Sequence, residues 1–325
     1  MKQYGKEILL CVLLGVVIPY FAFVLLRGEP NKNHNDAKAE SLASPPVEEE
    51  KDQTVRVLDK ESTVQTISLD DYLTAVLLQE MPADFHEEAL KAQAVVARTY
   101  VLRRTDNDKH SGADVCMDPN CCQGYCNIDE YLERGGKASS VNKVTNAVKQ
   151  TQDLVLVYNG ALIDATYFSC SGGMTESAVA VWGADIPYLQ ATKSPGEEGA
   201  THYADTVTFP VAEFAEKLQA DLQGNPESWI EEITYTSGGG VDRIRICGVD
   251  YKGTEIRKLL GLRSTSFAIT AIGSTVTITT RGYGHRVGMS QYGAEAMAVQ
   301  GKQFEEILHH YYKDTQLVSM ESLKD

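Results

Sequence analysis

The chain has 325 residues, 43% of them hydrophobic and 23% charged, a balance that suits a folded protein of about two domains and excludes wholesale disorder. With 45 acidic against 30 basic side chains, its net charge is −15. It lacks the dense Lys/Arg that a polyphosphate requires, which excludes nucleic acid and leaves neutral or sugar-like polymers open.

Charge is unevenly placed along the chain. Lys2, Lys6 and Arg27 outweigh Glu7 at the amino terminus and frame an uncharged run from Ile8 to Leu26. Such a run can cross a bilayer as a helix, and Pro19 within it is tolerated there. A cleaved leader would have a shorter apolar core with a small-residue site directly after it. Here Phe23-Val24-Leu25-Leu26-Arg27 follows instead. Residues 1–28 are therefore expected to be an uncleaved anchor, with the body outside the cytoplasm, although Arg27 and Lys32 partly balance the amino-terminal lysines. Residues 29–53 contain Pro45-Pro46 and Glu48-Glu49-Glu50, have little to bury, and read as a flexible acidic tether.

The folded body is expected over residues 54–325. Thr54–Leu58 and Thr63–Ser68 read as strands around Asp59-Lys60. Ser68 with Asp71 caps a helix whose apolar stripe is Leu69, Tyr72, Leu73, Val76 and Leu77, and Pro82 ends it. Glu80 thus stands at the carboxyl end of an apolar helix, where the helix dipole disfavours negative charge. Asp84 and Glu87 signal a second helix, to about Arg104, rich in closely packing alanine. Thr105–Cys126 reads as a loop, and Val141–Gln150 as a helix. Leu154–Tyr158 and Leu162–Phe168 flank Asn159-Gly160, a two-residue hairpin turn, before a glycine-rich loop at Ser169–Glu176. Pro210 opens a helix to about Gln223. Ile233–Thr236 and Arg243–Cys247 form a hairpin around Gly238-Gly239-Gly240. Thr254–Leu260 is a short helix, and Ala268–Ile272 and Thr275–Thr280 are strands. Helices over Met289–Val299 and Phe304–Lys313 follow. The class is α+β, with antiparallel hairpins and packed helices in two lobes around a cleft.

Four features can carry chemistry. Glu80 lies among apolar neighbours, so its pKa should be raised toward that of a general acid. An exposed helix-end carboxylate is the plainer alternative. His110, Cys116, Cys121, Cys122 and Cys126 crowd one loop and suit a tetrahedral zinc site. Disulfides are the alternative for an outward-facing body, but adjacent Cys121 and Cys122 are poorly placed to bridge one another. Tyr167–Glu176 offers hydroxyls and glycines to a polar ligand and has no serine-hydrolase elbow. Arg281–Ala294 sets four glycines and two tyrosines, Tyr283 and Tyr292, around His285, either to stack on a sugar or ring or as a structural loop before a helix.

Together, in order, these segments resemble the stage II sporulation protein D family. The resemblance rests on Glu80-Met81-Pro82 with Ala92-Gln93-Ala94-Val95-Val96-Ala97-Arg98-Thr99-Tyr100, and on Asp114-Val115-Cys116 with Cys122-Gln123. It continues through Ser171-Gly172-Gly173-Met174-Thr175-Glu176 with Val181-Trp182-Gly183, and through Gly284-His285-Arg286-Val287-Gly288-Met289-Ser290-Gln291-Tyr292-Gly293-Ala294. It implies a peptidoglycan lytic transglycosylase that cuts between N-acetylmuramic acid and N-acetylglucosamine and leaves 1,6-anhydromuramic ends. Glu80 would be its single acid and base, whereas ordinary glycosidases need two carboxylates. Arg98, Tyr167, Ser169, Ser171, His285 and Gln291 would bind substrate. His110, Cys116, Cys121 and Cys122 would hold a structural zinc, with Cys121 where the family often has His and Cys126 in reserve. The implied partners are glycan strands, a peptidoglycan amidase and an integral membrane sporulation protein acting during forespore engulfment. A related branch implies an alternative, a non-catalytic enhancer of an amidase. A zinc hydrolase is a third possibility and would need an open metal position.

Overall fold

The computed structural model describes residues 53–105, 109, 110 and 112–323. The expected anchor and all of the tether but Gln53 lie outside them. Among the described residues, no helix is long and apolar enough to cross a membrane.

Strands β1 (Thr54–Leu58) and β2 (Val64–Ser68) pair antiparallel from Thr54↔Ser68 to Leu58↔Val64. Helix α1 (Leu69–Glu80) starts as its sequence dictates, with the Ser68 hydroxyl accepting from the Asp71 N–H at 3.1 Å. For α2 (Glu87–Leu102), the cap is His86 and not Asp84: its Nδ1 accepts from Glu88 N at 3.2 Å. The expected loop after α2 contains strand β3 (Val115–Cys116), which runs parallel to β1 through Val57↔Val115 and Leu58↔Cys116. Helices α3 (Ile128–Glu133) and α4 (Ala138–Gln150) follow.

Strands β4 (Leu154–Tyr158) and β5 (Ala161–Leu162) turn at Asn159-Gly160, both at positive φ (51° and 76°), as a type I′ hairpin requires. The expected second strand does not run unbroken to Phe168. Asp164 N donates to the Tyr188 hydroxyl at 2.9 Å, so the ladder is lost and β6 (Tyr167–Phe168) begins separately.

Next come α5 (Ala178–Trp182), β7 (Ala204–Pro210) and α6 (Val211–Leu218). Helix α6 stops at Gln219, whose φ of 51° breaks it before the expected Gln223. Strands β8 (Ile230–Tyr235), β9 (Val241–Ile246) and β10 (Val249–Lys252) make one antiparallel sheet. After α7 (Gly253–Leu260), strands β11 (Phe267–Ile272) and β12 (Thr275–Arg281) join β7 in another, in the order β11-β12-β7. The chain ends with β13 (Met289–Ser290), α8 (Gln291–Val299), α9 (Phe304–Tyr311) and β14 (Gln316–Ser319), the last paired with β4.

The class is α+β, as expected, and the apolar side chains gather in two cores. The first surrounds α2, where Ala89, Ala92, Ala94 and Ala97 are fully buried and let α1, α4, α8, α9 and β4 pack close. The second is built by Phe214, Ile244, Ile256, Val276 and Ile278 between the two antiparallel sheets and helices α6 and α7.

Arg286 ties the two cores together. Its guanidinium donates to Ser171 O, Met174 O and Gly238 O, each at 2.8 Å, and pairs with Glu176 at 3.3 Å. Glu176 in turn accepts from Gly240 N at 2.9 Å and from the Thr236 hydroxyl at 2.7 Å. These contacts hold Arg286 at φ 65°, in the left-handed region that a side chain otherwise avoids.

Candidate functional site

A cleft of about 1140 Å³ opens beside both cores. The end of α1 supplies Glu80, Met81 and Pro82, and the β6 segment supplies Thr166, Tyr167, Phe168 and Ser169. Parallel pairing of β6 with β13, Tyr167↔Met289 and Phe168↔Ser290, brings the start of α8 alongside, so Gln291 and Tyr292 join the wall. This approach requires a glycine: a Cβ at Gly288 (φ 83°) would lie 2.0 Å from the Thr166 carbonyl oxygen.

Glu80 faces the cleft half-buried. One oxygen accepts from Gly124 N at 2.5 Å, and the Tyr167 hydroxyl bonds the carboxyl as well. Burial raises its pKa, and these two hydrogen bonds pull it only partly back. Behind it runs a buried polar chain. Tyr72 donates to Gln123 Oε1, and Gln123 Nε2 donates to Tyr167 Oη, both at 3.2 Å. Because Tyr167 accepts from Gln123, its own proton is directed to Glu80. Burial, and then the Glu80 charge, push the Tyr167 phenol well above its ordinary range, so it stays a donor.

His285 sits between the rings of Phe168 and Trp182, at centroid distances of 5.6 and 5.3 Å. Its Nδ1 accepts from Val287 N at 3.1 Å. Burial, and then the Arg257 charge, lower its pKa to about 4. The ring is therefore neutral near pH 7, with its proton on Nε2. Gln291 is 4% exposed, and its Nε2 has no hydrogen-bond partner. Buried amide donors are rarely left unmet, so a cleft-lining one points to a ligand acceptor.

Two expected cleft residues are used elsewhere. Arg98, 1% exposed, donates to Val148 O, Thr151 O and Leu154 O at 3.1, 2.7 and 3.3 Å. It satisfies carbonyls at the end of α4 and the start of β4 and does not line the cleft. Ser171 is fully buried and donates to Glu197 at 2.7 Å. Glu197 also accepts from Ser171 N and Gly172 N, both at 2.9 Å, and from the hydroxyls of Ser194 and Ser290, both at 2.6 Å. Ser171 thus builds the loop and does not meet a ligand.

The thiol loop closes a compact quartet. The ligand atoms of His110, Cys116, Cys121 and Cys122 all lie within 4.8 Å of one another. His110 Nε2 is 3.2 Å from Cys122 Sγ and 3.7 Å from Cys121 Sγ. Tetrahedral zinc with ordinary Zn–N and Zn–S bonds separates such atoms by about 3.6 Å, so the quartet fits the ion. Cys126 does not belong to it, because its thiol turns to Asn127 O at 3.6 Å. The described cysteines are free thiols, as a metal site requires and disulfides do not. Burial pushes the Cys122 thiol up to about 12, whereas Cys121, though also desolvated, is drawn below its ordinary range by Lys109.

Other residues of the site stand in or beside sequence motifs, but only the fold assigns them a role. Gly124 N reaches Glu80 and Gln123 bridges Tyr72 and Tyr167 only once the fold is made. Trp182 and Tyr283, 46% and 44% exposed, present aromatic faces, and Arg257 and His202 complete the lining.

A family model described as "SpoIID: Stage II sporulation protein" matches residues 58–158. Stage II sporulation protein D of Bacillus subtilis (strain 168) is 41% identical over 261 residues, 78% of this chain and 76% of that protein. Its counterpart from Bacillus amyloliquefaciens is 40% identical over 266 residues, 80% and 77%. A Bacillus subtilis (strain 168) protein named amidase enhancer is 33% identical over 302 residues, 76% of this chain but 40% of that protein. On an identity of this size over most of both chains, the protein belongs to the stage II sporulation protein D family.

Proposed function

We propose that the protein is a membrane-anchored peptidoglycan lytic transglycosylase in which Glu80 is the general acid and base. One observation carries this reading: among the described residues that line the cleft, Glu80 is the only carboxyl group. Hydrolytic glycosidases place two carboxylates across the scissile bond, one for the leaving oxygen and one for water or the sugar. A single carboxyl suffices when the muramyl 6-hydroxyl is the nucleophile. Glu80 protonates the glycosidic oxygen, the bond from C1 to that oxygen breaks, and a bond from C1 to O6 forms. The 6-hydroxyl proton returns to Glu80, and no water is consumed. The raised pKa of Glu80 suits the first proton transfer. Tyr167 fixes the carboxyl, while Ser169 and the unmet amide of Gln291 are suited to sugar hydroxyls.

The quartet His110, Cys116, Cys121 and Cys122 would hold a structural zinc. Four protein donors leave no open position, so the ion would fix the loop beside the cleft and not activate water. About one zinc per chain by elemental analysis, and a lower melting temperature after chelation, are the expected results. Metal-free protein purified under reducing conditions would rule the assignment out. The run Ile8–Leu26 would keep the body at the outer membrane face near the wall, working with a peptidoglycan amidase and an integral membrane sporulation protein.

The test is mass spectrometry of products from peptide-free glycan strands. Anhydro ends are expected from the unaltered protein, with a rate loss of about 10²- to 10⁴-fold in Glu80→Gln. Reducing ends would mean hydrolysis. The amidase enhancer relative favours a second reading, a wall-binding protein that stimulates an amidase. Stimulation without any strand cleavage would select it.

A further inference from the structure

The cleft is cationic on an acidic chain. The net charge is −15, yet the lining holds Arg104 and Arg257 against Glu80 alone. Arg104 is already engaged: it lies 3.4 Å over the Tyr100 ring and pairs with Asp164 at 3.2 Å. Arg257 is not. Its Nε donates to Leu262 O at 3.3 Å, and among the described residues no carboxylate lies within ion-pair distance of it. It is only partly exposed, and a guanidinium stays protonated, so it is a partly desolvated positive charge facing the cleft. Among the described residues, its two terminal amino groups have no protein acceptor. Tyr283, 44% exposed, stands in the same lining with its ring 5.0 Å from that of His202.

We infer that Arg257 and Tyr283 form a subsite for a carboxylate-bearing sugar, with Arg257 taking the carboxylate and Tyr283 the sugar face. This rests on the glycan-cleaving reading and names the group recognised. On a peptide-free strand, each muramic residue presents one anion, its lactyl carboxylate. Arg257 offers that group a charge-assisted, two-pronged contact that N-acetylglucosamine cannot make. The subsite therefore sets the register of the strand, since only alternate sugars satisfy it. Where a stem peptide is attached, the lactyl group is an uncharged amide, and the only carboxylates lie farther out on the peptide.

The test measures binding of labelled glycan strands by fluorescence anisotropy, using the full chain with Glu80→Gln so that the strands stay intact. Three probes are compared: peptide-free strands, the same strands with carboxylates converted to methyl amides, and peptide-bearing strands. Arg257→Gln is expected to weaken binding of the first about tenfold or more and to leave the second unchanged. The methyl-amide strands should bind the Arg257 protein as weakly as peptide-free strands bind Arg257→Gln. Arg257→Lys should recover part of the affinity, and if Arg257→Gln fails to fold, the methyl-amide comparison still decides. Equal binding of native and methyl-amide strands by the Arg257 protein overturns the subsite, whether or not strands are cut. An Arg257 dependence confined to peptide-bearing strands overturns it too, since the anion would then be a stem-peptide carboxylate. Conversely, carboxylate-dependent binding by a protein whose unaltered form cuts no strand upholds the subsite and removes the reaction.

Discussion

Glu80 and Glu197 belong to the same body and are held in opposite ways. Glu197, 1% exposed, is saturated: two backbone N–H groups and the hydroxyls of Ser171, Ser194 and Ser290 all reach it within 2.9 Å. Glu80 receives Gly124 N and the Tyr167 hydroxyl and otherwise looks into a cleft. A carboxylate with every lone pair occupied can only be a clasp. One that is desolvated but sparingly bonded has a reason to hold a proton and room to give it away. The difference teaches that burial alone does not mark a working carboxyl. The number of donors pointing at it does.

The contrast can be broken most forcefully at Glu197. Glu197→Ala strands several buried donors and is expected to cost more than about 3 kcal/mol, measured by denaturant unfolding. Stability equal to that of the unaltered protein would show that the clasp is dispensable. A smaller effect is expected at Gly124. A Cβ there would come within 2.8 Å of Glu80 Oε1, so Gly124→Ala should cut strand cleavage about tenfold to a hundredfold by moving the carboxyl, with little change in melting temperature. If Gly124→Ala cleaves normally, the position of Glu80 is less constrained than its hydrogen bond implies. The smallest effect sharpens the contrast through pH. The folded state raises the pKa of Glu80, so this carboxyl favours folding at low pH, and that contribution is lost as pH rises through the folded value. Glu80→Gln should therefore melt higher than the unaltered protein at about pH 8, by about 1 kcal/mol or less, and the gap should shrink toward about pH 5. Glu197→Gln should be destabilised at both, because its amide meets donors with a donor.

Much of this arrangement is legible in the sequence where the signal is local. Ser68 and Asp71 announce α1, Asn159-Gly160 the hairpin, and the spacing from His110 to Cys122 the quartet. Glu80 stands out because a helix end and Pro82 fix its setting. Arg98 and Ser171 mislead because they lie in the same motifs as cleft residues, while their partners sit about 50 and 26 residues away in Val148, Thr151 and Glu197. Spacing cannot reveal a partner that only the tertiary fold supplies. Gly124 and Arg257 escape a sequence reading for the same reason: each is chemically ordinary until a distant segment is laid against it.

The Glu197 clasp also has a consequence in time. It gathers residues 170–173, 194–197 and 290, and the Ser194 hydroxyl reaches on to Tyr311 across 117 positions. The contact of His110 with Cys122 spans only 12. Closing long loops is entropically costly and comes late, so the thiol loop can organise early while the clasp forms near the end of folding. Weakening the clasp should therefore quicken unfolding and barely slow refolding, which makes Glu197 the residue that sets how long the finished body lasts.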